Sequence, residues 1–556
     1  MGKLLSAKAV RAGDKCGRSI GRNSGNIRFQ FLNIHETGWI SSFKLGFLKM
    51  IKKLFDSIAY HARYSPEREA LVTADQTVSY VDLQMQVEHL AAELMQMKSE
   101  NLAIFGSNSI EWIVMDLAAK KANITVVPIP LFFSKNQIQH LLNDSRTDTI
   151  FMPAAFGNAN EGIEWLEELK ASKTIKHISA ANTVKGQFIH LADKRDLSAH
   201  SSQASSDFVK PSKITYTSGS TGTPKGVCLG EDTIDSITQS LSNALASREL
   251  GRHLCLIPFA TLLENIAGIY VALSMGRSLA VGEVSQFGLI SNHEFKVQNF
   301  ADAVNEYQIE SVILLPQMLK AIVEYISVHS PEDFSSLKFI AVGGGKIAPD
   351  LLMQCEKLGL PVYEGYGLSE CASVVSLNLP NAIKIGSVGR PLPHVEVKIT
   401  PSGEVLVKGN AMQGYLNELP ASQYIHTGDA GFFDEDGYLF ITGRIKQIIV
   451  SSFGRNVSPE WVESNSASEP EINQIAVFGE AQPYLSAVIY AKDSVSNSMV
   501  DQAIQKANAR MPDYARIQHW CRAEEPFSLA NEMLTDNGKL RRNAIQQRFK
   551  ADLLLN

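Results

Sequence analysis

Between Asn101 and Pro380 short apolar runs alternate with helical stretches, and this alternation constrains the fold more than any other feature. Residues 102–106 read as a strand and 109–123 as a helix. The same pair recurs at 125–130 with 135–143, at 311–316 with 317–328, and at 339–342 with 349–358. Strands separated by helices form parallel sheets covered on both faces. The texture changes after Gly386. Val395, Val397 and Ile399 alternate with polar residues, Pro401-Ser402-Gly403 turns, and Val405 and Val407 alternate again. This predicts hairpin-rich structure over about 386–443, closed as a small β-barrel. A third texture begins after Gly443-Arg444, with strands predicted at 448–450, 475–478 and 487–490 and helices at 459–468, 498–510 and 541–553. The expected fold is α/β. A large N-terminal domain (50–445) carries parallel-sheet subdomains and the barrel, and a smaller α+β C-terminal domain (446–556) follows.

A chain of 556 residues has room for several such units. Its net charge of −6 excludes a wholly basic nucleic-acid binder, and no nucleic-acid partner is expected. The six cysteines form no C-x-x-C pair, which argues against a zinc site or a disulfide framework and suits a reducing cytoplasm. No apolar run approaches the ~20 residues that span a bilayer.

The amino terminus differs from the rest. Before Met50 nine basic residues face only Asp14 and Glu36, and residues up to about Gly38 lack periodicity. Residues 1–49 are read as a disordered extension, and an upstream start is preferred over a basic tail or a targeting segment. Over 40–58 apolar residues recur at helical spacing among Lys44, Lys49, Lys52 and Lys53. A basic amphipathic helix can rest peripherally on an anionic membrane. Packing on the first domain, with the lysines in solvent, is the preferred reading.

Tyr216-Thr217-Ser218-Gly219-Ser220-Thr221-Gly222-Thr223-Pro224-Lys225-Gly226 is the most informative segment. Glycines let backbone N–H groups turn toward an anion, hydroxyls add donors, and Pro224 with Gly226 presents Lys225 at a tight turn. It is not the G-x-x-x-x-G-K-[ST] loop, because Pro224 stands where the second glycine would be. A flexible linker has no need of Pro-Lys-Gly or of the strand residues before it.

This segment resembles the phosphate loop of the adenylate-forming superfamily, which includes acyl-CoA synthetases, peptide-synthetase adenylation domains and firefly-type luciferases. The resemblance runs from about Met50 to the C-terminus through several ordered motifs. It implies that Thr217, Ser218, Gly219, Ser220, Thr221, Gly222 and Lys225 face ATP phosphates. Tyr363-Glu364-Gly365-Tyr366-Gly367-Leu368-Ser369-Glu370 resembles the adenine motif, in which Tyr366 stacks on the base and Glu370, with Thr217, holds Mg²⁺. Glu364, Gly365, Gly367 and Ser369 belong to the same nucleotide site, and Gly344 lies at a neighbouring strand end. Thr427-Gly428-Asp429 and Arg444 resemble the ribose-binding residues, Lys446 the hinge of a mobile C-terminal domain, and Gly454-Arg455 the CoA path. Asn537-Gly538-Lys539 resembles the last motif, whose lysine meets the carboxylate and the α-phosphate. Fixed positive charge suits a step that joins an anion to a polyanion.

The segment Ile257 to Asn265 resembles the approach to the acyl pocket, lined by Thr261 and Gly343. Thr261 stands where many relatives carry histidine, and no aspartate is present to pair a substrate ammonium. The resemblance therefore implies ATP-dependent activation of a medium- or long-chain fatty acid with Mg²⁺, then transfer to CoA. Transfer to an acyl carrier protein is the alternative acceptor, and a non-catalytic nucleotide-binding scaffold is the alternative class.

Overall fold

The structure is a computed structural model that describes residues 53–154, 156, 175–180, 184–191, 209–217, 224–291, 294–329, 331–418, 422–452, 455–535 and 538–553. Two large mixed sheets and a smaller antiparallel one build the N-terminal domain.

The first sheet has nine strands in the order Arg390–Pro391, Ser376–Leu377, Val362–Tyr366, Phe339–Val342, Ile309–Leu314, Arg252–Leu254, Ser278–Ala280, Glu69–Val72 and Thr77–Ser79. Its centre is parallel and its edges antiparallel. The second sheet has eight strands, with Thr125–Pro128 and Asn101–Ile104 at its parallel centre and Lys213–Thr217 leading to an antiparallel edge. The predicted pairs are present with their ends shifted by one or two residues in most elements, as where the strand expected at 311–316 runs Ile309–Leu314. Ser109 caps the helix Ile110–Lys121 by accepting from the Trp112 N–H, and Ser134 and Gln137 form a reciprocal capping box on Lys135–Asp144.

The helix Ile110–Lys121 is buried on nearly every side, as an interior helix must be. Asp116 projects from it into the core. The Lys213 ammonium donates to its two oxygens at 2.8 and 3.1 Å and also to Asn265, while Tyr270 Oη donates to Asp116 at 2.7 Å and Asn265 Nδ2 at 2.9 Å. Asn265 and Tyr270 lie on the π-helix Leu263–Tyr270. One buried ion pair thus fastens together a core helix, a π-helix and the strand that enters the phosphate loop.

The β-rich part pairs as a four-stranded antiparallel sheet, Val395–Ile399, Glu404–Gly409, Ile425–Phe433 and Leu439–Arg444. Its two outer strands are not paired with each other; Leu439 instead exchanges backbone hydrogen bonds with Val388 and Gly389, just before the strand Arg390–Pro391. Val405 and Val407 turn inward against Cys371 and Val375 of the nine-stranded sheet's loop region.

In the C-terminal domain, the strands Gln474–Phe478, Leu485–Tyr490 and Ile517–Arg522 carry the helices Pro459–Ser466, Asn497–Ala509 and Arg542–Arg548. The last helix is shorter than its apolar pattern predicts. Arg510 Nε pairs with Asp350 of the large domain at 3.0 Å, and the Lys320 ammonium donates to the carbonyls of Ala467 and Ile472.

Of the 40–58 segment, residues before Lys53 lie outside the described residues. The helix Leu54–Tyr64 buries Leu54 and Ile58, and Phe55 meets the ammonium groups of Lys120 and Lys121. The described part of the amphipathic pattern therefore packs on the large domain. Among the described residues no helix is long and apolar enough to cross a membrane. Cys228, Cys255, Cys355, Cys371 and Cys521 are free thiols.

Candidate active site

The strands Lys213–Thr217 and Lys225–Leu229 form a hairpin in which Thr217 stands opposite Lys225. Ser218, Gly219, Ser220, Thr221 and Gly222 lie in its loop, outside the described residues. The Lys225 ammonium pairs with Glu418 at 2.7 Å and sits 5.0 Å above the Tyr415 ring. Tyr415 Oη donates to Glu370 Oε1 at 2.7 Å. Tyr415 thus joins the hairpin lysine to the predicted metal ligand, a link the linear motifs do not show. No cluster of three metal-ligating side chains occurs among the described residues. A cation here would be held by Glu370 together with phosphate oxygens, which suits Mg²⁺.

Tyr366 ends the strand Val362–Tyr366. Its hydroxyl donates to Asp429 Oδ2 at 2.6 Å, and Arg444 Nε meets Asp429 Oδ1 at 2.9 Å. The ladder sets this up, because Asp429 and Arg444 are register partners. Burial holds the Asp429 carboxyl above its ordinary range, against the pull of the Arg444 guanidinium. A carboxylate offers about four lone-pair sites, so Asp429 keeps capacity for two more donors.

Gly367 has a packing reason to be glycine: a β-carbon would stand 1.5 Å from the Ser373 carbonyl oxygen. Gly344 has a conformational one, at φ +81°. Glu364 is buried, and its Oε2 has no hydrogen-bond partner. Burial pushes this carboxyl up to about 8, against the attraction of Lys346. Lys346, which sequence motifs did not single out, is held below its ordinary range by burial and donates to the Ile441 carbonyl at 2.6 Å.

A cavity of ≈ 240 Å³ opens beside this cluster. Gly344, Gly365, Tyr366, Gly367 and Ser369 line it together with the predicted acyl-pocket residues Thr261 and Gly343. Leu241, Leu245, Val271 and Ala272 make its wall apolar. Glu264 of the acyl segment is turned away from any ligand role. It is fully buried, with one oxygen on His253 Nε2 at 2.8 Å and the other accepting from the Ile257 N–H at 3.1 Å.

Lys539 stands on a hairpin tip closed by the Leu534–Leu540 bridge, and its backbone N–H donates to Thr535 Oγ1 at 3.0 Å. The residue is exposed overall, yet protein packed around its ammonium, and then repulsion from Arg444, hold that group below the ordinary range, while Glu460, Asp429 and Glu370 attract it. Asp429 and Glu370 of the large domain thus lie within electrostatic range of Lys539. Lys446, on the short helix Ile445–Gln447, is exposed and does not line the cavity. Arg455 is exposed with its guanidinium 6.0 Å from the Tyr514 ring, and Gly454 lies outside the described residues.

The chain belongs to the AMP-binding enzyme family: the family model matches residues 58–416, and that of the AMP-binding enzyme C-terminal domain matches 446–553. It is 28% identical over 503 residues to the 2-succinylbenzoate–CoA ligase of Enterococcus faecalis, covering 85% of this chain and 94% of that relative. It is 26% identical over 532 residues to a long-chain-fatty-acid–CoA ligase of Mycobacterium bovis, covering 82% and 87%. The fold matches that of the o-succinylbenzoate coenzyme A synthetase from Bacillus subtilis in complex with ATP and magnesium ion, with TM-score 0.67, 22% identity and coverage of 88% of this chain and 98% of that one.

Proposed function

We propose that this chain is an AMP-forming acid–CoA ligase. A carboxylate attacks the α-phosphorus of ATP, pyrophosphate leaves, and the CoA thiol then takes the acyl group from the acyl-adenylate. The observation that carries the reading is Tyr366, which lines the apolar cavity and whose hydroxyl is bonded to the Asp429–Arg444 pair, with Lys539 within electrostatic range of Asp429 and Glu370. Relatives named as CoA ligases over most of their length support the same class.

Each residue has work in this reading. Asp429, with its two remaining acceptor sites, takes ribose hydroxyls, and Arg444 fixes its orientation. Tyr366, whose hydroxyl is tied to Asp429, offers its ring to the adenine. Lys225, Lys539 and the hydroxyls of the phosphate loop surround the triphosphate, and Lys539 offsets the charge that builds up when two anions join. Glu370 would hold Mg²⁺, which would neutralise phosphate charge. Lys446 serves as the hinge, and Gly454 and Arg455 line the path for CoA once the small domain turns.

For the acid, the apolar wall supports an aliphatic chain of medium or greater length, and no carboxylate faces the cavity to hold an ammonium. The test is pyrophosphate release from purified protein with ATP, Mg²⁺ and a series of fatty and aromatic acids, with CoA or a carrier protein as acceptor. Release with fatty acids and acyl transfer to CoA are expected. ATP binding without pyrophosphate release for any acid would contradict the reading.

A further inference from the structure

The cavity has an end that the reaction as described does not use. Gly343 follows the strand Phe339–Val342, so it marks the end near Tyr366. His253, Ser311 and Phe339 share one register row across the sheet and line the cavity further along. From Gly343 back to Phe339 is about 13 Å at ~3.3 Å per strand residue. Arg277 lines the cavity at this remote end, since it lies two residues before Leu279, the register partner of His253.

Arg277 is 5% exposed, and its Nη2 has no hydrogen-bond partner among the described residues. Its side chain forms no ion pair with any described residue. Tyr80, whose hydroxyl donates to the Arg277 carbonyl, and then Glu310 attract it, and Glu310 is committed to the Lys338 ammonium at 2.8 Å. Burial pushes the guanidinium down to about 10, so it stays charged at neutral pH. A buried cation without a partner is costly, and proteins otherwise pair it. The remote end also presents His253 and Ser311, whose Nδ1 and Oγ stand 3.2 Å apart. An alkyl chain ending here would leave the arginine unpaired, whereas a planar carboxylate matches its donor fork.

We propose that Arg277 binds a second carboxylate, carried by the acid substrate at the end remote from the carboxyl group that is activated. The substrate class is then a medium-length dicarboxylic acid rather than a plain fatty acid. This rests on the reading of the chain as an acid-activating ligase and narrows its substrate.

The test compares dodecanedioate with dodecanoate on the full chain. Binding is measured by calorimetry without ATP, and pyrophosphate release is measured separately. Wild type is expected to bind dodecanedioate at least tenfold more tightly. Arg277→Met should abolish that preference while holding or improving dodecanoate binding, and Arg277→Lys should keep part of it. Equal binding of the two acids by wild type, or a preference that survives in Arg277→Met, overturns the proposal. If Arg277→Met does not fold, the wild-type preference and its weakening in Arg277→Lys decide the matter. A calorimetric preference with no pyrophosphate release from any acid would sink the ligase reading and leave the remote carboxylate site standing.

Discussion

Lys213 and Arg277 are both buried cations of the large domain, and their surroundings differ completely. Lys213 has Asp116, Asn265 and Tyr270 around it, and those partners also bond one another. Arg277 has no ion pair among the described residues and an Nη2 without a hydrogen bond. The first is a closed network whose charge is satisfied by the protein, so it belongs to the architecture. The second has an Nη2 without a hydrogen bond among the described residues and lines a cavity, so the cavity is where a partner would reach it. Glu364 lies between these cases: it is buried, attracted by Lys346, and has one oxygen without a bond.

Breaking the closed network should have the largest effect on stability. Asp116→Ala strands the Lys213 charge in the core and should cost about 3–5 kcal/mol in urea unfolding. Arg277→Met should move the other way and hold or raise stability, since it removes an unpaired buried charge. Loss of stability by Arg277→Met as large as that by Asp116→Ala would erase the distinction between the two cations.

Glu364 sharpens the comparison through pH. Its carboxyl titrates at 4.5 in the unfolded chain and at about 8 when folded. A raised folded value means that the unfolded state binds fewer protons between these limits. The Glu364 contribution is therefore fully present below about pH 4.5 and is lost as pH rises toward 8. The slope is at most roughly 1.4 kcal/mol per pH unit. Urea midpoints at pH 5, 6, 7 and 8 should fall more steeply for wild type than for Glu364→Gln. Parallel profiles would show that the buried carboxyl does not carry the effect.

The same contrast explains what could be read from the sequence. The phosphate-loop hairpin, Tyr366, Asp429, Arg444 and Lys539 were legible because each sits in a contiguous run with its own turn chemistry. Helix starts were legible at Ser109 and Ser134 for the same reason. Tyr415 was not, because its bond to Glu370 spans 45 residues. Lys346 was not, because its environment is set by Glu364 on the adjacent strand and by the Ile441 carbonyl. The isolation of Arg277 could not be read from its neighbours in sequence, since it depends on which carboxylates fold nearby and which of them are already committed. The antiparallel pair Ile175–Ala180 and Val184–His190 was not legible, because the apolar residues of Ile175-Lys176-His177-Ile178 are three apart and those of Phe188-Ile189 adjacent, so period-two alternation is missing. Alternation predicts the strands of the β-rich part, whereas the bonds from Leu439 to Val388 and Gly389 join residues far apart in sequence and leave no local sign.

The central claim is that Lys539, delivered by the small domain, serves the step that joins the acid to AMP. The direct test follows pyrophosphate release and acyl-CoA formation separately in wild type and Lys539→Ala. The account predicts that the variant forms acyl-adenylate slower by several orders of magnitude, while CoA still reacts with acyl-adenylate supplied from outside. Near-normal pyrophosphate release by Lys539→Ala would contradict it.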